Sequence, residues 1–309
     1  MSRIFKLSNF KKTYHYLKRH GLKRAYYAAK ERMEQEKADT YVYQPVSEAV
    51  LAEQKKAADA FEDKMKFSIL VPAYETDEKY LQEMIDSVLN QSYGNLELIL
   101  ADASSSNRVE EVVLGYRDSR IIYKRLSSNG GISVNTNHAL KYATGDYVGL
   151  LDHDDLLTPD ALYETALCIK DAYERGEELQ LVYSDEDKCN GDATAFFEPH
   201  KKTKFNLDLI LSNNYICHFM VMKRQLMQEL GFRSVCDGAQ DYDILLRAIN
   251  HLMGKDKKGT RKQNLPIAHI SKVLYHWRCH ELSTAENPSS KQYAYDAGKR
   301  AVENFVRAR

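Results

Sequence analysis

Acidic side chains are absent from the first thirty residues of this 309-residue chain, although the chain as a whole carries no net charge. The segment instead interleaves leucines and aromatic residues with nine basic residues: Arg3, Lys6, Lys11, Lys12, Lys18, Arg19, Lys23, Arg24 and Lys30. This pattern is typical of an amphipathic segment on an anionic membrane surface. A solvated helix packed on the main domain is the alternative, and the sequence does not decide between the two.

Cysteine pairs and long apolar runs are missing as well. The five cysteines are scattered and form no C-x-x-C, which argues against a disulfide framework or a zinc knuckle and favours a reducing compartment. No run approaches the ~20 apolar residues of a membrane span, and the basic start leads into no apolar signal region. We therefore expect a cytoplasmic protein, peripheral at the inner face of the cell membrane. The zero net charge gives no sign of a nucleic-acid partner.

Strand-like and helix-like segments alternate from Lys66 onward. The apolar runs predict strands at 67–74, 96–104, 121–126, 146–155, 179–188, 216–224 and 267–280. Helical spacing falls between them at 78–92, 109–118, 129–145, 159–176 and 238–252. This alternation predicts an α/β fold, with a mostly parallel sheet covered by helices on both faces. We expect a basic helical N-terminal extension over 1–64, whose part 46–63 is a helical connector, a main domain over 65–285, and a C-terminal helix over 286–309.

Polar side chains follow several of these strands at the point where each strand ends. Pro72–Glu75 stand at the end of the first strand, Asp102 ends the second, and Asp152–Asp155 end the fourth. Right-handed crossovers place the carboxyl ends of parallel strands on one edge of the sheet, where ligands of open α/β sheets bind. We therefore expect these groups to lie close together.

The stretch around His153 carries the densest group of carboxylates. Asp152 and Asp154 alternate around His153 in an expected extended segment, and Asp155 is adjacent. Hard oxygen ligands at this spacing suit Mg²⁺ or Mn²⁺, which bind through one or two carboxylates together with substrate phosphates and waters. The alternative is an aspartate-rich turn that caps the helix beginning near Pro159.

Four segments together resemble the family 2 glycosyltransferases, which have the GT-A fold, a Rossmann-like nucleotide-sugar-binding sheet. They are FSILVPAYE, SVLNQSYGNLELILADAS, NGGISVNTNHALKYATGDYVGLLDHDDLL and GAQDYDILLR, in that order between Phe67 and about Ala285. Three further segments resemble the branch that builds bacterial surface polysaccharides, including rhamnan-type chains: SDEDK, FEPHKKTKFNLDLILSNNYICHFMVMKR and YHWRCHELSTA.

The resemblance implies a site for the nucleotide of a UDP- or dTDP-sugar. Pro72, Ala73, Tyr74 and Glu75 would line the nucleoside pocket, and Asp102 would accept a hydrogen bond from the pyrimidine N3–H. Family members often have two acidic residues here, whereas this chain has alanine before Asp102.

The resemblance also assigns the loop that begins at Asn129. Asn129 and Gly130 would let the backbone pass close to the nucleotide, and Asn137 occupies a position near the ribose or diphosphate. Thr136 stands where many members carry arginine, which removes one expected diphosphate contact.

The remaining roles implied by the resemblance concern the metal, the base and the sugars. Asp152 and His153 would face the donor, and Asp154, together with Asp152 and His276, would bind Mn²⁺ or Mg²⁺. Asp241 would be the catalytic base, preceded by Gln240 where the family usually has glutamate. The residues implied to contact acceptor or donor sugars are Asp185, Glu186, Gln240 and Trp277.

Each of these side chains has a structural alternative. Asp102 and Asp241 could cap helices, His276 could be a buried structural histidine, and Asp185–Asp187 could form a solvated turn. The resemblance implies an inverting, metal-dependent transferase that acts on a glycan or lipid-linked acceptor in cell-surface polysaccharide synthesis. A degenerate carbohydrate-binding module and a nucleotidyltransferase are the alternatives, and the sequence PAYETDEKY lacks the glycine-rich basic loop that the second would need.

Overall fold

The computed structural model describes residues 41–254, 264–280 and 288–309, with the side chains of 288–291 left out. The basic segment predicted to be helical over the first forty residues lies outside the described residues. The connector predicted over 46–63 forms helix α1, Glu48–Asp59, which is capped by the Ser47 side chain. Residues 43–309 form one compact unit.

The first half of the sheet is built from four parallel strands, which confirms the predicted βα alternation. Strand β1 is Phe67–Ala73, β2 is Leu96–Asp102, β3 is Ile121–Arg125 and β4 is Tyr147–Leu150. In register, β1 pairs with β2 from Phe67 opposite Leu96 and with β4 from Phe67 opposite Tyr147. Strand β2 is buried at every position, as expected for a central parallel strand.

Helices cover both faces of this sheet because the strands are apolar on both faces. Ile69 and Val71 point into one apolar cluster with Leu81 and Ile85, while Leu70 points into another with Ala139 and Leu140 among its members. The helices of this half are α2 (Glu78–Leu89), α3 (Arg108–Gly115), α4 (Ile132–Leu140) and α5 (Ala161–Glu174). The predicted α/β class with a mostly parallel sheet is confirmed.

The second half of the chain extends the same sheet with mixed strand directions. Its strands are β5 (Leu156–Leu157), β6 (Leu181–Asn190), β7 (Phe196–His200), β8 (Met220–Lys223) and β9 (Ile267–Cys279). Strand β8 lies antiparallel between β4 and β6, while β6 and β9 are parallel. Within the described residues the order is β3-β2-β1-β4-β8-β6-β9-β5, with β7 paired to β6. Strand β7 was not predicted.

The helices of the second half flank these strands. They are α6 (Leu207–Ser212), α7 (Arg224–Leu230), α8 (Gln240–Leu252) and α9 (Pro288–Arg307). Helix α8 buries Ile244, Leu245 and Ile249, which follows the apolar spacing of its sequence. No helix of the described chain is long and apolar enough to cross a membrane.

The expectation that Asp152 and Asp154 lie in an extended strand is wrong. Strand β4 ends at Leu150, and the chain turns at His153 and Asp154, where the Asp155 amide donates to the Asp152 carbonyl at 3.2 Å. The turn is favoured because Asp155 is fully buried and accepts hydrogen bonds from the protein interior. Residues 152–155 are called the aspartate turn below.

A buried carboxylate joins the amino ends of β1 and β2 on the side away from the aspartate turn. Glu97 accepts hydrogen bonds from the Ser68 hydroxyl at 2.6 Å, the Lys66 ammonium at 2.5 Å and the Thr144 amide at 2.7 Å. Burial raises the pKa of Glu97, but the hydrogen bonds from Lys66, Ser68 and Thr144 outweigh it and hold the pKa below its usual value.

We expect Glu97→Gln to lower the free energy of unfolding by about 1–3 kcal/mol at pH 7, because buried donors lose a charged acceptor. Since the native pKa of Glu97 is depressed, this contribution is complete above the unfolded-state value of 4.5 and is lost as the pH falls through the native value. Urea denaturation of both proteins from pH 7 to pH 3 measures the difference. A pH-independent difference would contradict the assignment.

Candidate active site

The three carboxylates of the aspartate turn have three different partners. The Asp154 Oδ2 atom lies 2.8 Å from Nε2 of His280, and the Asp152 Oδ2 atom lies 4.0 Å from Nε2 of His218. Asp155 is buried beneath them and accepts a hydrogen bond from the Tyr275 hydroxyl at 2.5 Å. All of these partners come from the second half of the chain.

The environment gives neighbouring carboxylates opposite proton affinities. Burial and the charges of Asp154 and Asp152 raise the pKa of Asp155 well above its usual value. For Asp154, burial acts in the same direction, but the His280 hydrogen bond and the charge of His153 outweigh it and lower its pKa. The turn therefore presents an ionised Asp154 toward His280 while the buried Asp155 favours its neutral form.

His218 lies at the centre of the site and was not predicted to be functional. Its ring stacks on Tyr275 with centroids 4.6 Å apart and planes inclined by 9°. Its Nδ1 atom lies 3.1 Å from Glu186 Oε2, which orients Nε2 toward Asp152. Through Glu186, Tyr275 and Asp152 this residue connects β6, β9 and the aspartate turn, and its Nε2 atom also lies 3.5 Å from the sulfur of Cys217.

Asp241 reaches the same region from the first turn of α8. Its Oδ2 atom accepts a hydrogen bond from the Asn214 amide at 2.9 Å and lies 3.6 Å from the Cys217 sulfur. Gln240 does not point to these groups, because its side-chain oxygen accepts from the Gly238 amide at 3.0 Å within its own turn. The structure thus links Asp241 to the aspartate turn through Cys217 and His218.

Asp102 lies at the carboxyl end of β2, opposite Ala73 of β1. It is fully buried and accepts hydrogen bonds from the Tyr123 hydroxyl at 2.7 Å, from Arg125 at 3.2 Å and from the Ser104 amide at 2.9 Å. It caps no helix of the described chain, since Asn107 occupies the N-cap position of α3.

In the segment from Pro72 to Glu75, the side chains of Tyr74 and Glu75 have different environments. Tyr74 directly follows Ala73, the residue opposite Asp102 in the register of the sheet, and its side chain is half exposed. Glu75, at φ 47°, bonds instead to the loop after β2: it accepts from the amide and hydroxyl of Ser105, each at 2.7 Å, and from the Ser106 hydroxyl at 2.6 Å. Hydrogen bonds from Ser106 and Ser105 lower the pKa of Glu75 to about 2.

The glycine-led loop before α4 is held by its own side chains. The Asn129 side-chain oxygen accepts from the Gly131 amide and from Asn135, each at 3.0 Å, and a Cβ on Gly130 would lie 2.6 Å from the Val134 side chain. The loop is therefore specified by close packing. The Asn137 side-chain amide donates to the Phe232 carbonyl and accepts from the Phe232 amide, each at 2.8 Å, so both of its polar atoms are engaged by the backbone after α7.

His276 does not meet the aspartate turn through its side chain. It is buried, its Nδ1 atom lies 2.5 Å from Asp187 Oδ1, and its ring packs between Tyr43 and Phe196. The neighbouring Trp277 ring lies 5.8 Å from His218 and 5.5 Å from the Lys188 ammonium. The histidine beside Asp154 is His280, four residues further along the chain.

The acidic residues of β6 are buried in the strand and do not form a solvated turn. Asp185 lies 2.7 Å from His269 Nε2 and accepts the Lys202 amide at 2.8 Å. Burial opposes ionisation of Glu186, but hydrogen bonds from His200 and His218 and the Lys202 charge hold its pKa well below the usual range. Both carboxylates are therefore occupied by protein groups.

An open surface depression of about 650 Å³ is formed by α6 and the residues before it. Its lining mixes apolar and polar side chains: Thr203, Lys204, Phe205, Asn206, Asp208, Leu209 and Ser212. Helix α6 contacts α8, since the Tyr242 hydroxyl donates to the Ile210 carbonyl. Helix α6 ends two residues before Asn214.

The site residues that sequence reasoning missed carry weak but visible signals. His280 directly follows the last residue of β9. Polar residues also stand at the ends of β1, β2 and β4. Asn214, Cys217 and His218 stand in the stretch NNYICHF, immediately before β8. Their position follows from the antiparallel direction of β8, which brings its amino end beside the carboxyl end of β4 and beside Tyr183 of β6.

Arg278 supports the aspartate turn from beneath. Its side chain is fully buried and lies 2.6 Å from Glu83. The guanidinium donates to the carbonyls of Asp154 and Gly191, each at 2.6 Å, and lies 4.6 Å from the Tyr80 ring centroid. Only a planar fork makes all these contacts at once.

We expect Arg278→Lys to lower the free energy of unfolding by about 1–3 kcal/mol, because buried carbonyl groups lose their donors. Urea denaturation measures the change. Arg175→Lys is the matched control, since Arg175 is exposed and its only ion pair is at the surface in the described chain. Equal stability of the two variants would contradict a supporting role for Arg278.

The chain is similar to several known proteins. Residues 68–231, more than half of the chain, match the family model described as Glycosyl transferase family 2. The uncharacterized protein y4gI of Sinorhizobium fredii is 42% identical over 243 residues, which are 77% of this chain and 25% of that protein. The O-antigen biosynthesis protein RfbC of Myxococcus xanthus is 32% identical over 246 residues, 77% of this chain and 18% of that protein.

The chain therefore spans a quarter or less of the length of these two relatives. Among solved structures, S. aureus TarS 1-349 in complex with UDP-GlcNAc aligns with a TM-score of 0.59 at 20% identity, over 78% of this chain and 66% of that chain. This likeness shows the GT-A-like fold alone. On the family match and the sheet described above, the chain belongs to glycosyltransferase family 2.

Proposed function

We propose that the chain is an inverting glycosyltransferase that moves a sugar from a UDP- or dTDP-linked donor to a glycan or lipid-linked acceptor in cell-surface polysaccharide synthesis. The observation that carries the proposal is the link from Asp241 through Cys217 and His218 to Asp152. The names of relatives support the pathway class: RfbC is an O-antigen biosynthesis protein, and GgaB of Bacillus subtilis is a minor teichoic acid biosynthesis protein.

In this proposal the two ends of the site have separate tasks. Tyr74 and Asp102 lie on the nucleoside side, and Asp152 faces the donor sugar. Asp241 takes the proton from the acceptor hydroxyl as its oxygen attacks the anomeric carbon from the face opposite the diphosphate. A single displacement inverts the configuration, so no covalent enzyme intermediate is needed.

In this proposal a divalent cation binds at the aspartate turn, and the substrate completes its coordination. Among the described residues no group of three or more His, Cys, Asp or Glu side chains is placed to hold a metal ion. Asp154 and His280 nevertheless converge at 2.8 Å, and Mg²⁺ sites commonly combine one or two carboxylates with substrate phosphates and waters. We propose Asp154 and His280 as the protein ligands of Mn²⁺ or Mg²⁺, which when bound would neutralise charge on the diphosphate.

We expect Asp241→Asn to lower turnover by about 10²–10⁴-fold, the usual contribution of a positioned general base. The substitution keeps an oxygen for the Asn214 hydrogen bond, so nucleotide binding is expected to persist. The assay is hydrolysis and transfer of radiolabelled UDP- and dTDP-sugars with Mn²⁺. A thermal-shift panel of the same compounds measures binding, since ligands of the native state raise its melting temperature.

Asp171→Asn, at an exposed carboxylate of α5, is the control for this experiment and is expected to behave as wild type. Unchanged turnover in Asp241→Asn would remove the assignment of the base. Binding of nucleotide sugars without turnover in the wild type would instead indicate a degenerate binding module, and no binding of any panel member would refute the proposed function.

The two histidines of the YHWRCH segment can be separated by their effect on metal-dependent binding. We expect His280→Gln to weaken Mn²⁺-dependent UDP binding by at least about tenfold, because it removes a proposed ligand, with a magnitude typical of metal-site partners. His276→Gln is expected to leave it within about twofold, since that ring faces Asp187. Titration calorimetry with UDP, with and without Mn²⁺, measures both; the reverse order would restore the sequence-based assignment of His276.

A further inference from the structure

One lysine of a basic segment is part of the protein interior. Lys201, Lys202 and Lys204 stand together in HKKTK, a composition typical of a solvated surface. Lys201 and Lys204 are exposed, but the side chain of Lys202 is fully buried. A buried ammonium is costly unless its donors are satisfied and its charge is paired.

The contacts of Lys202 are made with the segment that carries His218. Its ammonium donates to the Ile216 carbonyl at 2.6 Å and to the His218 carbonyl, and lies 3.4 Å from Glu186 Oε2. Its backbone amide donates to Asp185 at 2.8 Å. Burial lowers the pKa of Lys202, while the charge of Glu186 opposes that effect.

These contacts continue into the candidate active site. Glu186 accepts the His218 amide at 3.2 Å and lies 3.1 Å from its ring Nδ1. The same three-residue segment places Cys217 beside Asp241 and His218 beside Asp152. One buried ammonium therefore fixes both the backbone and the carboxylate that orient this segment between the two functional carboxylates.

We propose that Lys202 is a positioning residue for sugar transfer: through Glu186 and the backbone of residues 216–218, it holds Cys217 and His218 between Asp152 and Asp241. The inference rests on the proposed function. Stability alone is a weak reason for such a cluster, because apolar replacement of a whole buried ion pair is often neutral or stabilising. Geometry at the reaction centre is a sufficient reason, since small displacements there reduce rates strongly.

The test uses Lys202→Met with Lys201→Met as the matched control, assayed with the donor sugar that the wild type turns over. We expect Lys202→Met to lower kcat by about 10–100-fold, as for a misplacement of about 1 Å, with the Kd for UDP and Mn²⁺ within about twofold. Lys201→Met is expected to match wild type. A Lys202→Met protein that is folded at the assay temperature and has wild-type kcat overturns the proposal.

Glu186→Gln and the double variant Glu186→Gln/Lys202→Met separate positioning from general destabilisation. If both residues act in one chain of contacts, the double variant loses no more turnover than Lys202→Met alone. The double variant also removes both buried charges, which keeps the test available if the single variant folds poorly. Independent, multiplicative losses would overturn the proposal.

A measurement that needs no substrate distinguishes this inference from the proposed function. Iodoacetamide labelling followed by peptide mass spectrometry gives the alkylation rate of Cys217, with Cys168 of α5 as the internal reference. Faster labelling of Cys217 in Lys202→Met supports positioning of the segment by Lys202, even if the wild type transfers no sugar, which would refute the proposed function alone. An unchanged labelling rate overturns the inference.

Discussion

The architecture of this protein depends on compensating three carboxylates that one short turn brings together. Asp152 faces His218, Asp154 pairs with His280, and buried Asp155 accepts from Tyr275. Neighbouring carboxylates repel each other unless a cation, a hydrogen-bond donor or a proton reduces the repulsion. Here each of the three carboxylates has a different partner. Because every one of these partners belongs to the second half of the chain, the turn is stable only when both halves of the sheet have come together.

The mixed strand directions in the second half of the sheet bring these partners to the aspartate turn. Strands β1 to β4 end together at one edge, as parallel strands with right-handed crossovers do, but they supply mainly acidic groups there. Antiparallel β8 enters beside β4 from the opposite direction, so the residues before it, Cys217 and His218, arrive at the same edge. Parallel β6 and β9 then add Glu186 and His280. In the proposed mechanism, the groups assigned to the donor come from the first half of the chain, and the base Asp241 comes from α8 in the second half.

Much of this was predictable from the sequence, and the remainder has a physical reason. Apolar periodicity gave the strands and helices of the first half, because parallel strands buried on both faces have a strong local signature. The turn at His153 was missed because the buried hydrogen bonds of Asp155, a tertiary effect, decide it. The resemblance pointed to His276 alone, and spacing along a strand does not show that the ring of His280 meets Asp154. Lys202 was not recognised as a buried residue because the segment HKKTK has a composition typical of a solvated surface.

The groups that surround Asp152, Asp154 and Asp241 differ, and this difference bears on the separate roles proposed for these carboxylates. An adjacent positive charge favours the ionised form of a carboxylate and weakens it as a base, whereas neutral donors do so less. Asp154 lies against the His280 imidazole and has a lowered pKa, which suits a group that stays ionised beside the proposed cation, whereas burial raises the pKa of Asp152. Asp241 is held by the neutral Asn214 amide and lies beside the Cys217 thiol, and within the described chain it forms no ion pair. Carboxylates of one chemical type thus have different neighbours in this site, and in the proposed mechanism Asp241 is the one assigned to take the acceptor proton.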